Sequence, residues 1–112
     1  MHTDYFYGND AELFGFYEIP KILFMDSRFK SLSIESKLLY GMLWNRMTED
    51  GRIDEEGKMY VLFPIEEVME MLGCGNKKAV SMMNELEEKV HLIQKRRVGL
   101  GQPNRIYVKV LN

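Results

Sequence analysis

The chain of 112 residues lacks most features that mark secreted, membrane-spanning or disulfide-bonded proteins. Its single cysteine, Cys74, excludes an internal disulfide bond and fits a reducing compartment. No apolar run approaches the roughly 18 residues that a membrane span requires. The N-terminus has neither the basic nor the apolar segment of a signal peptide. We therefore expect a cytoplasmic protein without a membrane partner, folded as a single domain over residues 1–112.

Residues that could perform catalysis or hold a metal are also scarce. No cysteines or histidines have metal-ligand spacing, and no glycine-rich phosphate loop or nucleophile motif occurs. Cys74 and His91 have no evident orienting acid. The acidic residues between Glu49 and Glu56 follow no ligand pattern, which is typical of solvated turn carboxylates. We expect no catalytic residue, no metal and no cofactor, and hence a protein that acts by binding.

Negative charge is missing from the C-terminal end of the chain. No aspartate or glutamate follows Glu88. Residues 76–112 carry eight lysines and arginines against three glutamates, whereas residues 1–75 carry seven against fourteen acids. The whole chain has a net charge of −2, yet its C-terminal third is at +5. This asymmetry predicts one pole that faces phosphate.

Hydrophobic spacing and cap signals predict three helices and a hairpin. The first helix begins at the N-cap Ser33 and ends near Met47. Its apolar face consists of Ile34, Leu38, Leu39, Met42, Leu43 and Met47, widened by Tyr40 and Trp44. Residues 52–54 and the largely buried strand 59–63 form the hairpin. Pro64 suits the first position of a helix that stops at Gly73. Asn76 caps the next helix, which runs to residue 88.

Two strands complete the fold. Residues 92–97 and 105–111 have strand character, with Ile106, Val108 and Val110 alternating inward, and residues 98–104 join them. The order helix, strand, helix, helix, strand, strand predicts an α+β winged helix: a helix-turn-helix, a β-hairpin wing and a small antiparallel sheet. This core spans residues 33–111. Residues 1–32 form an aromatic-rich N-terminal arm of short irregular pieces, which offers a dimerisation element.

Polar side chains of the helix after Gly75 are the first candidates for contacts with duplex DNA. Two lysines in its first turn are disfavoured by the helix dipole, which indicates a phosphate or base contact rather than a folding role. Further along, an asparagine has the groups to pair with adenine. Glu85 and Glu88 are predicted on the same face, so we expect only the N-terminal half to meet bases. The candidates are Asn76, Lys77, Lys78, Ser81 and Asn84.

Polar side chains of the wing are the second candidates. Successive strand residues face alternately, so three neighbouring cations cannot all point one way. A twisted wing tip can still place two of them on phosphates. For both groups a plainer interpretation stays open, namely solvated lysines on the helix and cations that protect an edge strand. The wing candidates are Lys95, Arg96, Arg97, Gln102, Asn104 and Arg105.

Most of the chain resembles one family, the RepA_N plasmid replication initiators. The most specific part is the tail, with Gly99-Leu-Gly-Gln-Pro-Asn104 inside the wing and Ile106-Tyr-Val-Lys109 closing it. The likeness extends over roughly residues 14–109. The other segments that carry it are Phe16–Phe24, Leu32-Ser33, Lys37–Gly41, Arg46-Met47, Ile53-Asp54, Gly57, Tyr60, Ile65–Glu67, Lys77–Ala79, Glu85–Glu87, Leu92-Ile93 and Lys95-Arg96.

The resemblance implies a non-catalytic domain that binds double-stranded DNA at direct repeats (iterons) of a plasmid or mobile-element replication origin. It implies a recognition helix at 76–84 and a wing at 95–105, whose turn is set by Gly99, Gly101 and Pro103. It also implies a homodimer. Members of the family are longer, so we expect an N-terminal part of a larger protein, with host replication proteins engaged through a C-terminal region.

Two other functions share the same fold. A winged-helix transcriptional regulator would bind a palindrome near a promoter, whereas an initiator prefers direct repeats. A protein-interaction winged helix of a primosome adaptor agrees with the net acidity but not with the basic pole. A rolling-circle nickase is disfavoured because no paired metal-ligating histidines accompany a tyrosine.

Overall fold

The computed structural model of the chain describes Tyr5, Tyr7, Gly8 and residues 15–111. The rest of the predicted arm (residues 1–4, 6 and 9–14) and Asn112 lie outside the described residues. In the described part, no helix combines the length and apolar character needed to cross a bilayer. The helices and strands are α1 (Ile22–Met25), α2 (Ile34–Asp50), β1 (Arg52–Ile53), β2 (Met59–Tyr60), α3 (Ile65–Leu72), α4 (Asn76–Asn84), β3 (Ile93–Arg96) and β4 (Arg105–Val108).

Two antiparallel hairpins form the β layer. Strand β1 pairs with β2, and β3 pairs with β4 in a register that places Ile93 opposite Val108. Val61 and Ile106 exchange two backbone hydrogen bonds of 2.9 Å, and this bridge joins the hairpins side by side. The predicted small antiparallel sheet is confirmed, although the strands are shorter than predicted.

The long helix α2 lies at the centre of the core. Leu39, Tyr40 and Leu43 on this helix are fully buried. Burial raises the pKa of Tyr40 to about 12, and its hydroxyl donates to the carbonyl oxygen of Lys109 at 3.1 Å. The chain segment that leaves β4 is therefore tied to α2. The other buried apolar residues are Leu23, Phe29, Leu32, Met42, Val61, Phe63, Val68, Ala79, Met82, Met83, Leu86, Leu92, Ile93, Ile106 and Tyr107.

Most of the predicted apolar face of α2 is buried, but its first turns and its end differ from the prediction. Ile34 and Leu38 are 68% and 42% exposed, and the helix continues to Asp50 rather than ending near Met47. The N-terminal arm covers a further part of the helix. A Cβ atom on Gly41 would lie 2.8 Å from Cγ1 of Ile19, so the arm packs closely on the side of α2 where this glycine lies. The short helical pieces of the described arm, α1 and a 3₁₀ turn at Ser27–Phe29, agree with the prediction.

The helix-turn-helix is confirmed, with small corrections at its boundaries. Gly73 ends α3 in the left-handed region (φ 64°), as predicted. Pro64 is the N-cap of α3 instead of its first residue, since its ψ of 153° is extended. Gly75 rather than Asn76 is the N-cap of α4, because its ψ of 174° is extended while Asn76 is already helical. The predicted helix to residue 88 ends at Asn84 and continues as a π-helical turn, Glu85–Lys89.

Strand β4 has buried residues on both faces, and two predictions about residues near it, Asp54 and Val110, are wrong. Ile106 faces the core, whereas Tyr107 is buried on the other face and donates to Oδ2 of Asp54 at 2.8 Å. Asp54 is thus not a solvated turn carboxylate, since the backbone N–H groups of Glu56 and Lys58 also donate to it. Burial raises the pKa of Asp54, but these hydrogen bonds outweigh it and hold the pKa below its usual value. Val110, predicted to face inward, lies beyond the end of β4 and is 79% exposed.

Glu85, predicted on the exposed face of the recognition helix, caps another helix instead. Its Oε1 atom accepts the backbone N–H of Ser33 at 2.6 Å, while the Ser33 hydroxyl accepts the N–H of Ser36 at 3.1 Å. The two contacts reproduce a capping box, with the glutamate supplied from 52 residues away. Burial raises the pKa of Glu85, but hydrogen bonds from Ser33 and Ser36 leave it lower than usual.

We expect Glu85→Ala to lower the free energy of unfolding by about 1–2 kcal/mol at pH 7, because it leaves the Ser33 N–H without its charged partner. The folded-state pKa lies below the unfolded one, so the stabilisation is complete above the ordinary glutamate pKa of about 4.3 and decreases as the pH falls through the folded-state pKa. Urea denaturation of both proteins between pH 7 and pH 3 measures the difference.

Glu88→Ala is the matched control, because Glu88 is an exposed residue of the same π-helical turn. Equal stabilities of Glu85→Ala and Glu88→Ala at pH 7 would contradict the capping role of Glu85.

Candidate nucleic-acid interface

The N-terminal turn of α4 exposes the first group of predicted site residues. Asn76, Lys77, Lys78 and Ser81 are all exposed. The Lys78 ammonium lies 2.7 Å from Oε2 of Glu35, and this hydrogen bond raises the pKa of Lys78 and lowers that of Glu35. Lys77 has no ion pair with any described residue. The positive end of the helix dipole and one unpaired ammonium therefore coincide at this turn.

The C-terminal end of α4 is bonded to the wing. Nζ of Lys95 lies 2.7 Å from Oδ1 of Asn84 and 3.5 Å from Oε1 of Glu87. The backbone N–H of Lys95 donates to Oε2 of Glu87 at 2.7 Å. Asn84 and Lys95, which the sequence indicated as separate contacts, are thus brought together as one hydrogen-bonded group.

The basic residues of the wing divide between the two faces of its hairpin, as strand alternation predicted. Lys95 shares the face of Ile93 and turns towards α4, while Arg96 lies opposite Arg105 on the other face. Arg105 is only 21% exposed; its guanidinium lies 3.6 Å from Glu55 and 4.5 Å over the ring of Tyr60. A hydrogen bond with Tyr107 raises the pKa of Arg105. Arg105 is therefore held against the β1–β2 hairpin.

Arg96 and Arg97 are the wing cations that remain available. Both are exposed, and neither side chain has a hydrogen bond or ion pair with the residues that the structure describes. Gly101 adopts a φ of 74° in the turn beyond them, and the N–H of Gln102 donates to the carbonyl of Gly99 at 3.2 Å. This turn exposes Gln102 and Asn104 at the tip of the wing.

A cleft separates the wing from the beginning of α3. Its volume is about 290 Å³, and its lining includes Ile65 and Glu66 on one side and Gln102 and Asn104 on the other, with Lys95 among them. Of the predicted residues, Lys95, Gln102 and Asn104 border this cleft, and α4 contributes only Met83 to its lining. Arg96 lines a separate cavity on the other face of the wing, beside Asp54 and Glu56. We call the exposed residues Asn76, Lys77, Ser81, Arg96, Arg97, Gln102 and Asn104 the basic face.

Sequence reasoning missed the glutamates that pair with the predicted cations. Glu35, Glu55 and Glu87 neutralise Lys78, Arg105 and Lys95 respectively. Two of these partners come from elements distant in sequence, so no local pattern indicates them. Only the Lys95 pair had a signal, because strand alternation places Lys95 on the same side as buried Ile93.

Other candidate chemistry is not assembled. Cys74 and His91 line separate cavities, one beside α2 and the other beside the 3₁₀ turn. Among the described residues, no group of three or more histidine, cysteine, aspartate or glutamate side chains is placed to hold a metal ion.

Known proteins similar to this chain share both its sequence pattern and its fold. Residues 15–112 match the family described as the N-terminus of replication initiator protein A (RepA). No curated protein sequence matches the chain.

Three solved structures are similar over almost the whole chain. One, described as "N-Terminal domain of DNA binding protein", is 29% identical with a TM-score of 0.77, over 97% of this chain and 85% of that one. A second, "Structure of Rep-DNA complex", is 30% identical with a TM-score of 0.76, over 96% and 84%. A third, "Structure of MDR initiator", is 29% identical with a TM-score of 0.73, over 96% and 86%. The fold is a winged helix.

Proposed function

The chain belongs to the family of RepA replication initiator N-terminal domains, and on that premise we propose that it binds duplex DNA at the direct repeats of a plasmid or mobile-element replication origin. The observation that carries this proposal is the basic face, where Lys77 on α4 and Arg96 and Arg97 on the wing are exposed and form no ion pair with a described residue. The similarity to a structure described as a Rep-DNA complex supports binding to DNA.

In this mode α4 enters the major groove with its first turn towards the bases. Lys77 then reaches a phosphate or a guanine edge, and Asn76 and Ser81 lie on adjacent turns. The wing lies along the backbone, with Arg96 and Arg97 at phosphates. The domain acts by binding and assembly rather than by catalysis. In longer family members, the region that follows this domain engages host replication proteins.

The N-terminal arm is the proposed dimer surface. Phe16, Tyr17, Phe24 and Met25 are between 52% and 75% exposed, which is unusual for four large apolar side chains on one short segment. A second copy that covers them would pair two basic faces on neighbouring repeats.

Fluorescence anisotropy against duplexes tiled across the protein's own gene and its flanks tests the proposed function. We expect tight binding to fragments that hold direct repeats, and a steep loss of affinity between a low and a higher salt concentration, because phosphate contacts release counterions. Random duplex is the competitor. Affinity equal to that for random duplex would contradict repeat recognition, and absence of binding at low salt would favour a protein partner instead.

The two lysines of the first turn should contribute unequally to binding. We expect Lys77→Ala to weaken repeat binding about tenfold. Lys78→Ala should have a smaller effect, because the Lys78 ammonium must leave Glu35 before it can contact DNA. Glu35→Gln is the control: it releases Lys78 and should strengthen binding. Equal losses in the two lysine variants would show that the Glu35 pair does not restrain Lys78.

The wing arginines should act through phosphates. We expect Arg96→Ala with Arg97→Ala to weaken all duplexes alike and to lower the slope of log affinity against log salt by up to about 2, one unit for each lost contact. Arg105→Ala, the control from the same hairpin, should leave the slope unchanged because Arg105 is bound to Glu55 and Tyr60. The proposed orientation of the wing fails if Arg105→Ala alone changes the slope.

The dimer surface is tested by sedimentation equilibrium. Phe16→Ser with Tyr17→Ser should shift the protein towards the monomer, since it removes the two exposed rings. Ile53→Ser, which changes an equally exposed apolar residue of β1, should not. A dimer that survives the arm substitution would place its interface elsewhere.

A further inference from the structure

The hydrogen bond between wing and recognition helix fixes which groups Asn84 can offer to a base. The Lys95 ammonium can only donate, so the atom of the Asn84 amide that faces it is the oxygen, Oδ1, at 2.7 Å. Nδ2 of the amide therefore points away from Lys95. Oδ1 has two lone pairs, one of which accepts from the ammonium group, whereas neither N–H of Nδ2 is directed at Lys95.

The free nitrogen of this amide reaches solvent. Nδ2 of Asn84 has no hydrogen-bond partner among the described residues, and in that part of the chain no buried side-chain nitrogen or oxygen lacks a partner. Nδ2 is consequently an exposed donor. Eight residues separate Asn84 from Asn76, which places it about 12 Å further along the helix axis, roughly three to four base-pair steps if α4 follows the groove.

The charge of Lys95 is already matched within the protein. Its ammonium lies 3.5 Å from Glu87, and the second oxygen of that carboxylate accepts the backbone N–H of Lys95. Lys95 is also less exposed than its neighbours, with 29% of its side chain accessible. These contacts favour a positioning role over a phosphate contact.

We infer that Lys95 is a positioning residue, which orients the Asn84 amide as a donor and so directs α4 to select guanine over adenine at one position of its DNA site. Adenine presents a donor and an acceptor in the major groove and needs both groups of a free amide, whereas guanine presents two acceptors. This inference rests on the proposed function. It differs from the expectation from sequence that Asn84 pairs with adenine.

Selection from a duplex library with a randomised centre tests the inference, because the enriched duplexes themselves reveal the sequence that the domain binds. The wild-type domain is compared with Lys95→Met combined with Glu87→Gln, which removes the hydrogen bond to Asn84 while the net charge stays the same. At the position where the wild type selects guanine, the double variant should also accept adenine. The ratio of guanine to adenine among the enriched duplexes should fall at least about fivefold, which is the lower end of the discrimination that one bidentate contact provides. Its salt slope should not change.

Three single-residue variants show which contact causes the change in base preference. Lys95→Arg keeps a donor and should retain guanine, whereas Arg97→Ala should reduce the salt slope and leave all base preferences intact. Asn84→Ala should lose the guanine preference at that position alone. Because alanine is the strongest helix former, α4 should still fold in this variant, which therefore tests the role of Asn84 even if the double variant does not fold. Thermal unfolding checks the fold of each.

Unchanged base preferences in the double variant or in Asn84→Ala would overturn the inference, as would a reduced salt slope in the double variant, which would make Lys95 a phosphate contact. A wild-type domain that enriches no sequence would instead contradict the proposed function itself. The two failures are thus distinguishable.

Discussion

The position of the recognition helix depends on two glutamates that follow its last residue. One binds the central helix of the core and the other binds the wing. Glu85 accepts the backbone N–H of Ser33 and so joins the end of α4 to the beginning of α2, the central helix of the core. Glu87 accepts the backbone N–H of Lys95 and joins the same end to the wing. Because α4 has only nine residues, a fixed end determines the orientation of the whole helix. The first turn, which carries Lys77, is left free to meet a ligand.

Ion pairing inside the domain decides which cations remain available to DNA. The chain has a net charge of −2, so its basic pole exists only because the acids are placed elsewhere. Within that pole, glutamates hold Lys78, Lys95 and Arg105, each in a definite orientation. Of the remaining cations, Lys77 is exposed on the first turn of α4, and Arg96 and Arg97 are exposed on the wing. A count of basic residues therefore overstates the number of phosphate contacts, since the paired ones contribute orientation instead.

Local patterns predict the elements of this fold well, but they do not indicate contacts between distant residues. The N-cap Ser33, the left-handed Gly73 and the order of helices and strands depend on neighbours within a few residues, so the sequence predicts them. The cap of Ser33 by Glu85 and the bond between Tyr107 and Asp54 join residues 52 and 53 positions apart. Such contacts follow from tertiary packing. The same reason explains why sequence patterns place Glu85 on the exposed face of the recognition helix and do not indicate the contact of Arg105 with Glu55.

The most direct test of the basic face is an NMR titration of the domain with a repeat-containing duplex, following the backbone amide signals. We expect the largest shift changes at residues 76–84 of α4 and 96–104 of the wing, and small changes in the acidic β1–β2 turn at residues 54–58. Changes centred on that turn, or on α2 and the arm without the first turn of α4, would contradict the assignment of the basic face as the surface that meets DNA.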